Sequence, residues 1–405
     1  MMERKRVLLV NKFYYNRGGA EVVTLTLRAA LEAAGYRVGV LTMDYHSNLE
    51  GSDVYTVPEV SFKTGGIGGR MAFARRAVLG DDTAAALRRV LREFQPSVVH
   101  LHNIHSYLSP AVAREAKRAG CRVVWTLHDY KLLCPAYSCL NRGATCERCF
   151  RHKRHILATR CFKQSLAASA LAWLEATRWS RHRLERWTDA WVCPSEFMRH
   201  QMTAGGFDPA KMHVINNFLD PDKLRVLTTG NAPQREPFLL YAGRLSAEKG
   251  VTTLLEAMRR VPGLNLKLCG NGPLRRQLEA QYAALPNVEF LGQRQADDVA
   301  RLQQRAAAVV VPSEWYENNP LSVIEAHCAG TPVVGADIGG IPELITPDNG
   351  IIFPAGDGDD LADALTRATS RRWRHDAIAN TARARYSAAR HLAALTPLYF
   401  PHEQA

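Results

Sequence analysis

The sequence predicts an α/β protein with two doubly wound parallel-sheet domains, and three observations carry that expectation. Short, continuous apolar runs alternate with segments that repeat apolar residues at helical spacing, the pattern of strands buried on both faces and joined by crossover helices. The series occurs twice, and the two halves meet at a stretch rich in turn residues. The 405 residues, 46% of them hydrophobic, are too many for one ordinary core and ample for two of about 200 residues each.

In the first half, Val7–Val10, Val38–Leu41, Val98–Leu101, Val123–Leu127 and Ala190–Cys193 read as parallel strands, with helical spacing over Ala20–Ala34 and Pro110–Ala119. Asp220-Pro221-Asp222 through Pro233 reads as the linker, placing a first domain at 1–218, a linker at 219–237 and a second domain from 238 to 384. The second half supplies the strands Phe238–Gly243, Leu264–Cys269, Val288–Leu291, Ala308–Val311 and Pro332–Val334. Its last helical segment, about Arg371 to Phe400, has no strand after it.

No apolar run approaches the roughly 20 residues of a membrane span, and the apolar segment near the N-terminus is too short for a signal peptide, so a cytoplasmic location is expected. The charge is uneven. Residues 1–220 hold 32 lysines and arginines against 19 aspartates and glutamates, while residues 221–405 hold 20 of each, so the whole net charge of +13 lies in the first half. Such a surface attracts anionic lipid, nucleic acid or a phosphorylated acceptor.

The richest stretch is Ser313 to Val334, where Glu317 and Glu325 stand eight positions apart around the start of a helix between two buried strands. That helix opens at the carboxyl edge of a sheet, where doubly wound folds bind ligands, and its N-terminus offers unpaired N–H groups and a positive dipole end to a diphosphate. Glu325 is placed to accept hydrogen bonds from ribose hydroxyls and Glu317 from a sugar. After the first strand, Gly18-Gly19 opens a helix where the backbone can approach a phosphate closely. In the second half, the loop Gly243-Arg244-Leu245-Ser246-Ala247-Glu248-Lys249-Gly250 puts Arg244 and Lys249 together, a pair suited to neutralising a leaving diphosphate. The two glycine pairs that start a dinucleotide fingerprint, at Gly66 and Gly270, have Met71 and Arg275 in place of the third glycine, which argues against an NAD site.

The Glu-x7-Glu spacing followed by Ala-x-x-Ala-Gly-x-Pro-Val-Val resembles the donor-site signature of retaining glycosyltransferases of family 4, which have the two-domain GT-B fold. The Gly-Gly-x-Glu at Gly18 and the Gly-Arg…Glu-Lys-Gly at Gly243 resemble the same family. The resemblance implies two Rossmann-like domains facing a central cleft, with the last helix, 385–405, crossing back to the first domain. It also implies a nucleotide-diphosphate sugar donor and a retaining, front-face transfer in which the leaving phosphate takes the acceptor's proton. The acceptor expected is a saccharide or a polyprenyl-diphosphate-linked saccharide of bacterial cell-surface polysaccharide synthesis, with a soluble small molecule as the alternative. The residues implied as catalytic are His128, Glu317, Arg244 and Lys249, and Gly19, Glu325 and the helix start Asn319, Pro320 and Leu321 complete the donor site. His102 and Asn103 are the expected acceptor contacts. With two protein cations on the diphosphate, no catalytic metal is expected. Asn318-Asn319-Pro320 departs from the aromatic-Gly pair of many relatives, which leaves the sugar unassigned.

An insertion at about 130–187 carries Cys134, Cys139, Cys146, Cys149 and Cys161. Cys146-Glu147-Arg148-Cys149 can supply half of a tetrahedral site, so Cys139, Cys146, Cys149 and Cys161 form either a structural zinc site or a set of reduced thiols. Behind it, Trp173, Trp179 and Trp187 are interleaved with Arg178, Arg181, Arg183 and Arg186, a stripe that suits core packing or an interfacial helix on the inner membrane surface. A zinc-containing nucleic-acid-binding protein would account for the cysteines and the charge. It leaves Gly19, Arg244, Lys249, Glu317 and Glu325 without a role, and the basic region has few aromatics placed to stack on bases, so nucleic acid is not the expected partner.

Overall fold

The computed structural model describes residues 5–62, 66–228 and 234–401, and the chain divides into two compact units. The first runs to Arg142 and over Cys146–Asn216 and takes back the chain from His391; the second holds Asn217–Arg390 with Gly143–Thr145. Residues 229–233 of the expected linker lie outside the described residues. The part before them is helical over Pro221–Thr228 and belongs to the second unit.

In the first unit, β1 (Arg6–Val10), β2 (Arg37–Met43), β3 (Val54–Val57), β4 (Val98–Leu101) and β5 (Arg122–Thr126) form the bulk of one sheet. The two-residue strands β6 (Leu140–Asn141) and β7 (Ala144–Thr145) stand outside it, and β8 (Ala190–Cys193) and β9 (Met212–Val214) complete it. All neighbours are parallel and the order is β3-β2-β1-β4-β5-β8-β9. The second unit has β10 (Phe238–Ala242), β11 (Asn265–Cys269), β12 (Val288–Gly292), β13 (Ala308–Val311), β14 (Val333–Ala336) and β15 (Gly350–Phe353), again parallel, in the order β12-β11-β10-β13-β14-β15.

Both faces of the second sheet are buried, as the unbroken apolar runs require. Leu239, Tyr241 and Val310 enter one core, while Phe238, Leu240 and Val309 enter the other. Each sheet reverses its winding once, between β1 and β4 and between β10 and β13, and the crevice outside the carboxyl ends of those strand pairs is where this architecture holds ligands.

One expectation changes. The segment from Arg371 to Phe400 is two helices, His375–Arg385 and Ala388–Tyr399, broken at Tyr386-Ser387, where the Tyr386 carbonyl accepts from Leu219 N–H at 3.1 Å. Within the Trp/Arg stripe Trp179 is core, 4% exposed with its indole N–H donating to the Ala77 carbonyl at 2.7 Å, while Trp173 and Trp187 are half-buried and Arg183 and Arg186 are exposed. Arg183 donates to the Arg178 carbonyl, and Arg181 pairs with Glu185. Among the described residues no three His, Cys, Asp or Glu side chains stand where they could hold a metal ion, while Cys134, Cys139, Cys146, Cys149 and Cys161 are free thiols within electrostatic reach of one another. Cys139 hydrogen-bonds Cys134, which lowers the Cys134 thiol to about 6 and raises that of Cys139.

Candidate active site

In the second unit, the loop after β10 and the loop after β13 meet at the switch point. Gly250 makes that meeting possible: its φ is +66°, and a Cβ there would lie 1.7 Å from the Pro312 carbonyl oxygen. Thr253 Oγ1 then donates to Glu314 at 2.5 Å, and the Glu314 N–H donates to the Glu248 carbonyl at 2.9 Å. Held this way, Lys249 Nζ reaches Glu317 Oε1 at 2.5 Å.

Glu317 is buried, and its Oε1 also accepts from Ser313 Oγ at 2.8 Å and Trp315 Nε1 at 2.9 Å. Burial pushes its carboxyl up, but the Lys249 charge and these three hydrogen bonds outweigh that and hold it below the usual carboxylate range. Glu317 is therefore a fixed anion. All three donors converge on Oε1, which leaves Oε2, among the described residues, with no protein donor and free to accept from a ligand hydroxyl. Its backbone is fixed from β14's side: Gly340 N–H donates to the Glu317 carbonyl at 2.7 Å, and Gly339, at φ +63°, passes so close that a Cβ would lie 2.3 Å from that oxygen.

Around this carboxylate lie groups suited to an anion. Arg244 is exposed and, among the described residues, its guanidinium has no ion pair. The helix Leu321–Cys328 starts after Pro320 with no side-chain cap; Val323 and Ile324 N–H donate to the Pro320 carbonyl, and Leu321 and Ser322 N–H have no acceptor among the described residues. Just before it, Asn319 is buried with its Nδ2 unpartnered among the described residues, while its Oδ1 and carbonyl accept from Asn217 N–H and Nδ2, both at 2.8 Å. Glu325, two turns into the expected motif, is paired with Lys223 Nζ at 2.5 Å and accepts from Gln303 Nε2 at 3.4 Å.

The first unit has its own set at the ends of β1, β4 and β5. Asn11 Nδ2 donates to the Phe13 carbonyl at 2.8 Å and its Oδ1 accepts from Asn103 N–H at 3.1 Å, so Asn103 ties two strand ends together. Gly19 opens the helix Gly19–Ala33 with open space where a Cβ would project. His102 Nδ1 and His128 Nε2 are 2.9 Å apart with the rings stacked, and the backbone carbonyl of His102 accepts from Trp125 Nε1 at 3.0 Å. His102 is only 1% exposed, the more buried of the two rings. Its Nε2 has no partner among the described residues. A buried N–H without an acceptor costs more than a bare ring nitrogen, so the His102 proton belongs on Nδ1, donated to His128 Nε2. The His128 proton then sits on Nδ1. Burial, helped by Lys12, depresses His128 to about 3, so the ring stays neutral at ordinary pH.

Two of these positions gave no signal in sequence. Lys12, directly after β1, is pressed down by burial and drawn up by Glu21 and Asp129, and no motif marks it. Lys223 lies in the stretch read as linker.

The comparisons agree with this geometry. Residues 17–223 match the model of Glycosyltransferase Family 4 and residues 228–385 that of Glycosyl transferases group 1. The chain belongs to glycosyltransferase family 4. Among its relatives this family member is 29% identical over 227 residues to the sulfoquinovosyl transferase SQD2 of Arabidopsis thaliana, covering 52% of this chain and 44% of that one. It is 25% identical over 354 residues to an uncharacterized 42.6 kDa protein in the cps region of Klebsiella pneumoniae, covering 84% of this chain and 87% of that one. Among solved structures, the apo lipopolysaccharide outer core galactosyltransferase WaaB superposes with a TM-score of 0.66 at 17% identity, over 98% of this chain and 99% of that one. Anabaena Alr3699/HepE in complex with UDP-glucose superposes with a TM-score of 0.65 at 18% identity, over 96% and 98%. These two likenesses establish the GT-B fold.

Proposed function

We propose that the protein is a retaining glycosyltransferase that moves a sugar from a nucleotide-diphosphate donor to a saccharide or lipid-linked saccharide in the synthesis of a cell-surface polysaccharide, working on the cytoplasmic side. The observation that carries the reading is Glu317: a buried carboxylate with one oxygen committed to Lys249, Ser313 and Trp315 and the other open, beside an unpaired Arg244 and an uncapped helix start. The open Oε2 suits a sugar hydroxyl, and Arg244, Lys249 and the Leu321 helix start suit the diphosphate. Glu325 suits the ribose, its charge already balanced by Lys223.

In the reaction, the bond from the anomeric carbon to the diphosphate oxygen breaks while Arg244 and Lys249 neutralise the charge that develops on the leaving group. The acceptor oxygen bonds to the anomeric carbon on the face the diphosphate leaves, and its proton passes to the leaving phosphate. His128, with its proton on Nδ1, is a neutral donor for a sugar or acceptor oxygen in the first unit. The UDP-glucose held by the Anabaena protein and the polysaccharide setting of the Klebsiella and WaaB relatives support this donor and acceptor class. Incubation with nucleotide sugars and extracted glycolipid or oligosaccharide, read by nucleotide release and by the anomeric proton coupling of the product, tests it. An inverted anomeric centre overturns retention, and release that never depends on a saccharide overturns the acceptor class.

A further inference from the structure

The second unit holds a cavity of about 320 Å³ whose lining shares no residue with the candidate active site. His327, in the last turn of the helix Leu321–Cys328, lines it, and so does Asn349, which directly precedes β15. The cavity therefore lies where β15 begins, at the edge of the sheet opposite the donor loops. That helix, whose other end is the donor-site start, is about 12 Å long.

The lining divides between charge and apolar surface. Four arginines, Arg371, Arg372, Arg374 and Arg385, stand against one carboxylate, Asp348, a surplus of three positive charges. Arginines at such a place also offset helix dipoles. Two helices end here, Leu321–Cys328 and Gly358–Ser370, the second with Arg371 as its C-cap, and each carries about half a negative charge at that end. Together they balance about one of the three surplus charges, which leaves the cavity cationic. Arg371 lies over the Trp373 ring at 4.3 Å and Arg385 over Tyr386 at 5.2 Å, while Arg372 and Arg374 are exposed and have no ion pair among the described residues. Behind these cations, one face of the helix His375–Arg385 supplies Ala377, Ile378 and Ala382. An apolar wall with a few convergent polar groups is the form of a small-molecule site, and guanidinium groups pair with phosphate oxygens two at a time. Inorganic phosphate alone would leave the apolar wall unused.

We infer that this cavity binds a small phosphate ester, its phosphate on Arg372 and Arg374 and its body against Ala377 and Ile378. The site is separate from the donor site and does not rest on the transfer reading. The test is isothermal titration of glucose 6-phosphate, AMP and inorganic phosphate into the native chain and into Arg244→Ala, which weakens the proposed diphosphate site. At least one ester is expected to bind both chains alike, one to one and about tenfold or more tightly than inorganic phosphate; which one binds tells a sugar from a nucleoside as the body. Arg372→Gln with Arg374→Gln, in exposed side chains, weakens that binding about tenfold or more. Ala377→Phe keeps every arginine but fills the cavity, and it abolishes the preference for an ester over inorganic phosphate; the unliganded Tm of each variant checks its fold. Failure of both esters to bind, binding no tighter than that of inorganic phosphate, binding lost in Arg244→Ala, or a folded double-arginine or Ala377→Phe variant that binds like the native chain overturns the inference.

Discussion

Lys249→Ala separates what the Lys249–Glu317 pair does for the fold from what it does for the reaction. At 2.5 Å and an effective dielectric of about 20, the attraction is about 7 kcal/mol before the cost of desolvating both ions. Removing one partner of a fully buried pair costs about 3–5 kcal/mol. Lys249 keeps 25% of its side chain exposed, and Glu317 retains the Ser313 and Trp315 donors, so the expected loss of stability is lower, about 2 kcal/mol. Without the ammonium, burial also drives the Glu317 carboxyl upward. Turnover should fall by about 10²–10³, the range for losing one preorganised charge at a leaving group. Urea unfolding of Lys249→Ala, Glu317→Gln and the double variant closes a cycle whose coupling is expected at about 1–2 kcal/mol. A coupling below about 0.3 kcal/mol would refute the reasoning, since the two charges would then be independent in solution.

Gly339→Ala should cost at least about 2 kcal/mol in urea unfolding, from a left-handed φ and a Cβ driven into the Glu317 carbonyl, and should reduce nucleotide release with it. His102→Leu should lower kcat about tenfold with nucleotide affinity unchanged, while His102→Gln, which keeps a donor toward His128 Nε2, should retain most of it; equal loss in both would remove the donor role. Burial lowers His327 and His391 from 6.5 to about 4, so their contribution to stability is fully present above pH 6.5 and is lost as pH falls toward 4. Between pH 7 and pH 5 each should cost about 2 kcal/mol, and His391→Gln should flatten the fall in Tm over that range.

The central strands of both sheets were legible because burial on both faces leaves an unbroken apolar run, as in Val7–Val10 and Ala308–Val311. The strands missed are short and lie at sheet edges or ends: Val54–Val57 is half exposed, and Met212–Val214 has His213 at its centre. Asp220-Pro221 was read as a turn although proline at the first helical position is also how helices begin, and Pro221–Thr228 is such a helix. Glu317, Glu325, Arg244 and Lys249 were legible through spacing. Gly339 was not, because its need for a left-handed φ comes from a contact with the Glu317 carbonyl 22 positions away, which no local pattern records. The place of Trp179 was illegible for a related reason: composition shows amphipathic rings beside arginines, and only the Trp179–Ala77 bond shows that this ring is spent inside.

The central claim is that the second unit binds a nucleoside diphosphate sugar through Arg244, Lys249, Glu317 and the Leu321 helix start. The most direct test is thermal unfolding of the native chain and of Arg244→Ala against a panel of UDP, GDP and ADP and their sugars. At 100 times its dissociation constant the correct nucleotide should add about 2.7 kcal/mol to the native chain, and distinctly less to Arg244→Ala. Stabilisation by none of them, or equal stabilisation of both proteins, would contradict the account.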